Sequence, residues 1–218
     1  MTTYTKLING LTDLGIHKMQ EHLDYYIELV NKGQKSFSEA LEELIEIEKK
    51  NNQIRAENAC VKTANFPFIK TMDDFDFEFQ PSIQKKQLLE LNQLGFIDHQ
   101  ENILFVGTSG VGKTHLATAI GITCARARYS TYFLSFEALM TQLKKALLEN
   151  RLEARMKFFA KYKVLIIDEI SMLGRFFIQY LYNCLNHAEH HVQLILSGDF
   201  FQLPPVKDEY AFLSPYWN

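Results

Sequence analysis

Hydrophobic side chains recur at three- and four-residue intervals through about the first 60 residues, which is the spacing of one face of an α-helix. Strand-like alternation is missing from this part of the sequence, and Ser36 with Glu39 fits a capping box that begins a second helical segment. The apolar stripe predicted for that second segment consists of Phe37, Leu41, Leu44 and Ile45. We therefore predict an N-terminal helical module over residues 1–62.

Residues 63–82 differ from this module in composition, with two prolines, five phenylalanines and four acidic residues. We interpret the segment as an extended connector, because proline interrupts both helices and central strands. Its aromatic side chains are expected to pack on a hydrophobic core, and the alternative is that they cover an adenine base. These side chains belong to Phe66, Phe68, Phe75, Phe77 and Phe79.

Short apolar runs alternate with amphipathic segments from residue 83 onward, which is typical of strands separated by helices. The predicted strands are residues 102–106, 131–135, 163–167 and 192–196. Helical spacing is found over 83–96, in a segment ending near residue 128, and over 137–161 and 176–190. This order predicts an α/β fold over residues 83–218, with a parallel sheet flanked by helices on both faces.

Composition limits the function classes only broadly. The 218 residues carry 23 Lys and Arg against 26 Asp and Glu, and 47% of them are hydrophobic, which excludes a disordered chain. No apolar run reaches the ~18 residues of a membrane-spanning helix, and no signal peptide is visible, so we expect a cytoplasmic protein. The formal net charge of −3 means that any nucleic-acid surface must be local.

A phosphate-binding loop follows the first predicted strand. Residues 107–114 fit the pattern G-x-x-x-x-G-K-[ST] between a strand and a helix, where glycines let backbone N–H groups approach a phosphate. The candidate nucleotide-binding residues are Gly107, Thr108, Ser109, Gly110, Val111, Gly112, Lys113, Thr114 and His115. Lys113 is expected to reach the β- and γ-phosphates of ATP, and Thr114 to ligate Mg²⁺.

Two acidic residues, Asp168 and Glu169, end the third predicted strand, whose preceding residues are Val-Leu-Ile-Ile. In a parallel sheet, the carboxyl ends of the strands border the ligand crevice. We predict that Asp168 holds Mg²⁺ and that Glu169 polarises the attacking water. Because a glutamate directly follows the aspartate, the pattern favours an ATP-hydrolysing protein over a nucleotide kinase.

Residues from about 5 to 170 resemble the IstB helper ATPases of insertion-sequence transposons, relatives of the DnaC helicase loader within the AAA+ class. The matching segments include Leu11-Thr-Asp-Leu-Gly-Ile, Asp73-Asp-Phe-Asp-Phe, Glu101-Asn-Ile-Leu-Phe-Val-Gly and Gly112-Lys-Thr-His-Leu-Ala. The resemblance implies an ATP-dependent homo-oligomer that assembles on DNA and stimulates a transposase.

After Glu169 the sequence departs from that family and resembles Pif-type superfamily-one helicases. The segments are Ile170-Ser-Met-Leu and Gly198-Asp-Phe-Phe-Gln202-Leu-Pro-Pro. This second resemblance implies that Gln202 contacts the γ-phosphate and takes part in catalysis. Both families continue past the end of this sequence, with a further strand and arginine finger or with a second motor domain. We therefore expect ATP binding and leave turnover open.

A basic segment offers a candidate DNA surface. Residues 144–163 contain seven Lys and Arg against two Glu, with apolar residues spaced to face a core. Phosphate contacts from such a face tolerate any sequence and weaken with salt. Three interpretations stay open, namely an ATP-dependent transposition helper, a helicase fragment, and an inactive nucleotide-binding adaptor.

Overall fold

The computed structural model describes residues 2–78, 80, 83–185 and 191–199, apart from the side chains of Met172 and Phe176. The chain divides into two compact units, Met1–Asn58 and Ala59–Asn218. The elements are α1 (Thr3–Asp13), α2 (His17–Asn31), α3 (Phe37–Thr63), α4 (Lys85–Leu91), α5 (Gly95–Asp98), β1 (Ile103–Val106), α6 (Lys113–Arg126), β2 (Thr131–Ser135), α7 (Phe136–Leu148), α8 (Leu152–Phe159), β3 (Val164–Asp168), α9 (Arg175–Leu185) and β4 (Gln193–Gly198), with short 3₁₀ helices at Met72–Asp74 and Ile170–Met172.

In the N-terminal unit, α1, α2 and α3 enclose a small apolar core. The capping box is confirmed, since the Glu39 carboxylate accepts from the Ser36 backbone N–H and the Glu39 N–H donates to the Ser36 hydroxyl. The predicted stripe on α3 is wrong at three of its four positions, because Phe37, Leu41 and Ile45 are exposed. The helix is rotated by about one residue, roughly 100°. The buried face of α3 carries Ala40, Leu44 and Glu48.

Glu48 is a charged residue inside this small core, and it supplies the cap that α2 lacks. The N-cap residue of α2, Ile16, makes no side-chain hydrogen bond to the helix. One carboxylate oxygen of Glu48 instead accepts from the backbone N–H groups of Lys18 at 2.8 Å and Met19 at 2.9 Å. Burial raises the pKa of the Glu48 carboxyl, but the two amides and Asn51 outweigh burial and hold that pKa below its ordinary value.

The second unit is an α/β layer structure, which confirms the predicted fold class. Four parallel strands are ordered β1-β4-β3-β2, so β4 lies between the strand before the phosphate loop and the strand that ends in the acidic pair. Alternate residues of β3 enter different cores. Leu165 and Ile167 pack with α7, α8 and α9, whereas Val164 and Ile166 pack with α6 and the connector. The sheet is therefore covered on both faces.

Two predicted helices are each divided by a residue with positive φ. The segment predicted over 137–161 is two helices, α7 and α8, with Asn150 at φ +53° between them, a conformation that asparagine tolerates better than most residues. The segment predicted over 83–96 is divided in the same way at Leu94, at φ +66°. The segment predicted to end near residue 128 is confirmed as α6, and the one predicted over 176–190 is confirmed as α9 up to Leu185; residues 186–190 lie outside the described part of the chain.

The aromatic connector packs on the α6 face of the sheet, as the first of the two interpretations predicted. Phe75 is buried there, and Phe66 lies over Gly121 of α6. A Cβ on Gly121 would come within 2.7 Å of the Phe66 ring and would also overlap Ile166 of β3. A helix, a strand and the connector thus meet at a point where only glycine fits. Phe79 lies outside the described residues.

Candidate nucleotide-binding site

The phosphate loop joins the end of β1 to the start of α6. Gly110 and Gly112 have φ values of +82° and +91°, which are strained for any residue with a Cβ. The Lys113 ammonium donates to the carbonyl oxygens of Gly107 at 2.8 Å and Thr108 at 2.7 Å. These bonds hold its positive charge at the mouth of the loop, beside the N-terminus of α6, where an anion is favoured.

The structure brings the loop threonine and the acidic strand end together. The Thr114 hydroxyl donates to Oδ2 of Asp168 at 2.7 Å. The other carboxylate oxygen, Oδ1, accepts from the Ser197 hydroxyl of β4. Hydroxyl and carboxylate oxygens are the hard donors that Mg²⁺ prefers, and Mg²⁺ sites commonly use one or two carboxylates together with substrate phosphates. The pair Thr114 and Asp168 therefore fits the predicted ion.

A cleft of about 590 Å³ opens between the loop and the carboxyl ends of β2, β3 and β4. Glu169 is exposed there with φ +61°, while Asp168 beside it is buried. Besides the predicted residues Ser109, Gly110, Gly112, Lys113, Thr114, Asp168 and Glu169, the cleft is lined by Phe136, Glu137, Ser171, Gly198 and Asp199.

Those last five residues were not predicted from the sequence, although four of them, Phe136, Glu137, Gly198 and Asp199, lie at or just after the ends of β2 and β4. The rule that strand ends border the crevice would have found them once the strand order was known. Three predicted loop residues, Gly107, Thr108 and Val111, line a neighbouring cleft of about 830 Å³ beside β1, the edge strand of the described sheet.

His115 interacts with the connector through its side chain. Its Nε2 lies 3.0 Å from the carbonyl oxygen of Thr71, and its ring meets the rings of Phe75 and Phe68 edge-on. The His115 side chain thus faces the connector, and its contact with a nucleotide stays a prediction. Gln202, predicted to be catalytic together with Lys113 and Glu169, lies outside the described residues.

The connector turn is held in shape beside the loop. Hydrogen bonds from the backbone N–H and then the hydroxyl of Thr71 hold the pKa of Asp74 below its ordinary value. Phe75 follows this turn, and its ring lies against Gly112 so closely that a Cβ there would come within 2.6 Å of Cε2. The phosphate loop is thus packed directly against the connector.

The basic segment forms the hairpin of α7 and α8 and its continuation towards β3. Lys144, Lys145 and Arg151 are exposed, although Arg151 pairs with Glu149. Arg155 stacks on Phe158 at 4.6 Å from the ring centroid. Lys157 pairs with Glu153, so two of the seven cations, Arg151 and Lys157, have an acidic partner nearby on the chain. Of the other five cations, Arg155 lies on α8, Lys161 and Lys163 lie between α8 and β3, and the adjacent Lys144 and Lys145 are exposed near the end of α7.

A parallel sheet with a phosphate loop after one strand and an acidic pair two strands away defines a P-loop NTPase. The chain belongs to the family of IstB-like ATP binding proteins, whose sequence profile matches residues 9–197. It is 46% identical over 171 residues to the ATP-binding protein of insertion sequence IS232 from Bacillus thuringiensis subsp. berliner, covering 78% of this chain and 68% of that protein.

A second relative, the ATP-binding protein of insertion sequence IS5376 from Geobacillus stearothermophilus, is 40% identical over 75% of this chain and 66% of its own length. The chain thus spans about two thirds of the length of these relatives. Among solved structures, AMPPCP-bound DnaA from Aquifex aeolicus matches with a TM-score of 0.52 and 17% identity, over 62% of this chain and 43% of that one. That match supports the AAA+ type of fold.

The helicase resemblance is also found, but it is weaker. The DNA helicase PIF7 of Trypanosoma brucei brucei is 26% identical over 157 residues, covering 59% of this chain and 15% of that protein. No helix within the described residues is long and apolar enough to cross a membrane.

Proposed function

We propose that this chain binds ATP with Mg²⁺, hydrolyses it, and acts as the ATP-dependent helper of an insertion-sequence transposase. The observation that carries the proposal is the 2.7 Å hydrogen bond between Thr114 and Asp168, which joins the phosphate loop to the acidic strand end. The family and its insertion-sequence members support the biological setting.

Each charged group at the cleft has a distinct task in this proposal. Lys113, already held at the mouth of the loop, binds the β- and γ-phosphates. Thr114 and Asp168 hold Mg²⁺, which when bound offsets the negative charge of the phosphates. Glu169 is exposed at the cleft beside them, so its carboxylate is free to orient and polarise an attacking water.

DNA is the partner that we propose for the end of α7. Lys144 and Lys145 are exposed, and neither forms an ion pair with an acidic side chain of the described residues, unlike Arg151 and Lys157 on the same hairpin. Exposed lysines can contact backbone phosphates without sequence preference. Assembly into a homo-oligomer and recruitment of a transposase belong to the same proposal, and so does a cytoplasmic location.

Nucleotide binding and turnover are tested with three proteins, the wild type, Lys113→Ala and Glu169→Gln. We expect Lys113→Ala to lose ATP binding, measured by isothermal titration with Mg²⁺ present. Glu169→Gln should bind ATP and lose steady-state phosphate release. Wild-type affinity in Lys113→Ala would contradict the site assignment. A wild type that binds ATP without measurable hydrolysis would identify an inactive adaptor.

DNA binding is tested by co-sedimentation of the chain with duplex DNA at several salt concentrations, with and without ATP. Lys144→Ala with Lys145→Ala should weaken binding and flatten the salt dependence, by a slope of about 0.9 for each lost phosphate contact. Lys86→Ala on α4 is the control, because this lysine is exposed and distant in sequence from the hairpin. Equal losses in the control would contradict the surface assignment.

The alternative function is that of a helicase fragment, favoured by the PIF7 match. The segment that carries Gln202 lies outside the described residues, so the described cleft lends no support specific to a helicase. Strand separation by this chain on a forked duplex, dependent on ATP, would favour the alternative over the helper.

A further inference from the structure

Asp168 uses both of its carboxylate oxygens, and each oxygen has a different kind of neighbour. Oδ2 faces the phosphate loop, where it accepts from Thr114 at 2.7 Å. Oδ1 faces into the sheet, where it accepts from Ser197 of β4. One oxygen thus lies on the nucleotide side of the carboxylate, and the other is tied to the adjacent strand.

The strand register places Ser197 opposite Asp168. Ile167 of β3 pairs with Leu196 of β4, so the next residue of each strand lies side by side. Because alternate residues of a strand face the same side of a sheet, Asp168 and Ser197 lie on the face of Ile166 and Ile195, whose side chains join the α6 core. Thr114 is on the first turn of α6, and the three polar groups therefore meet on one face of the sheet.

Ser197 is fully buried, with 0% of its surface exposed, and it follows the apolar run Leu194–Leu196. A buried hydroxyl needs a hydrogen-bond partner, and its partner here is the Asp168 carboxylate. Ser197 is also absent from the lining of the nucleotide cleft, which β4 borders through Gly198 and Asp199. Its hydroxyl is therefore directed at the carboxylate and not at the space for the nucleotide.

We propose that Ser197 is a positioning residue for the metal site. By holding Oδ1, it fixes the plane of the Asp168 carboxylate and directs Oδ2 towards Thr114 and towards Mg²⁺ when the ion is bound. Groups that orient metal ligands in this way typically change metal affinity by about 10- to 100-fold when they are removed. The inference rests on the proposed function, because it concerns the same MgATP site.

The test measures ATP binding by the full chain as a function of free Mg²⁺, and again in EDTA. We expect Ser197→Ala to raise the Mg²⁺ concentration at half-maximal binding by about 10- to 100-fold, with little change of ATP affinity in EDTA. Ser197→Thr keeps the hydroxyl and should restore the wild-type midpoint.

The control is Thr131→Val. Thr131 of β2 is likewise a buried hydroxyl in a strand, and it donates to the Tyr129 carbonyl at 3.0 Å, away from the cleft. Its removal should cost stability and leave the Mg²⁺ midpoint unchanged. If Ser197→Ala and Thr131→Val both lower the melting temperature and both keep the wild-type midpoint, Ser197 is merely structural and the inference is overturned.

Asp168→Asn provides an independent check. If Ser197 acts only through Asp168, adding Ser197→Ala to Asp168→Asn should shift the midpoint no further, and a fully additive shift would overturn the inference. If Ser197→Ala does not fold, Ser197→Cys replaces it, because a thiol is a weak hydrogen-bond donor of similar size. We then expect a smaller increase of the Mg²⁺ midpoint.

The two proposals fail in different ways. A wild type whose ATP binding does not depend on Mg²⁺ would count against the proposed function. A Mg²⁺-dependent wild type with an unshifted Ser197→Ala would remove only the role of Ser197.

Discussion

Gly112 of the phosphate loop offers a direct test of the packing between loop and connector. Its φ of +91° is a conformation that residues with a Cβ rarely adopt, and a Cβ there would come within 2.6 Å of Cε2 of Phe75. The Phe75 ring cannot easily yield, because it is buried and packs against the rings of Phe77 at 5.0 Å and His115 at 5.2 Å. Gly112→Ala should therefore lose stability for two reasons, backbone strain and overlap with the Phe75 ring.

The two penalties can be separated with Gly110→Ala. Gly110 has a similar φ of +82°, but a Cβ there would meet nothing within 4 Å. Gly110→Ala should lose about 1–2 kcal/mol of unfolding free energy from backbone strain alone. Gly112→Ala should lose that amount plus about 1–3 kcal/mol from overpacking. The stabilising effect of replacing glycine in the unfolded chain is common to both and cancels in the comparison.

The assay is denaturant unfolding of the full chain without nucleotide, followed by ATP titration of each variant. Gly112→Ala combined with Phe75→Leu should recover the overpacking part of the loss and keep the strain part. Gly112→Ala should also bind ATP more weakly than the wild type, since the loop that cradles the phosphates is displaced. If Gly112→Ala unfolds at the same denaturant concentration as Gly110→Ala, the Phe75 contact has no energetic weight and the reasoning fails.

Three further predictions concern the two cores and the loop. Glu48→Gln should lower the unfolding free energy by about 1–2 kcal/mol at neutral pH, because charged hydrogen bonds to amides become neutral ones. The folded-state pKa of Glu48 lies below its unfolded value, so its stabilisation is lost as pH falls through that lower pKa, and unfolding curves of variant and wild type should converge there. Gly121→Ala should cost about 1–3 kcal/mol by overpacking, and adding Ile166→Val, which removes the overlapping methyl group, should recover part of it; unchanged melting temperatures would contradict this. Lys113→Ala should leave the melting temperature without nucleotide nearly unchanged and abolish the increase that ATP gives the wild type.

The sequence was sufficient to predict the sheet and the ends of its strands, because buried parallel strands are short apolar runs with a polar residue at the exit. Asp168 was predicted from such a strand end and Thr114 from the phosphate-loop pattern after β1, and their side chains meet at 2.7 Å. The orientation of α3 was not predictable in the same way. Its apolar residues occupy two adjacent faces, and only packing with α1 and α2 selects the face that carries Ala40 and Leu44.

Ser197 shows a second limit of sequence reasoning. A single serine at the end of an apolar run has no pattern of its own, and its spacing from Asp168 along the chain is 29 residues. Its role follows only from the strand order, which places β4 beside β3, and from the register that sets Ser197 opposite the aspartate. The break between α7 and α8 at Asn150 was missed for a related reason, since the apolar spacing continues across it.

The position of β4 also explains how one chain can resemble two families. Adjacent strands are about 4.8 Å apart. Because β4 lies between β1 and β3, the phosphate loop after β1 and the acidic pair at the end of β3 are about two such spacings apart. The end of β4 borders the cleft between them. At that end Gly198 is closely packed, since a Cβ there would come within 2.8 Å of Ile170, whereas Asp199 lines the cleft itself. The segment that resembles the helper family and the segment that resembles the helicases therefore meet at one cleft, the first through Lys113 and Thr114 and the second through Gly198 and Asp199. Asp199 is the polar group that the end of β4 brings to this cleft, and Ser197, two residues earlier, donates to the buried Asp168 carboxylate.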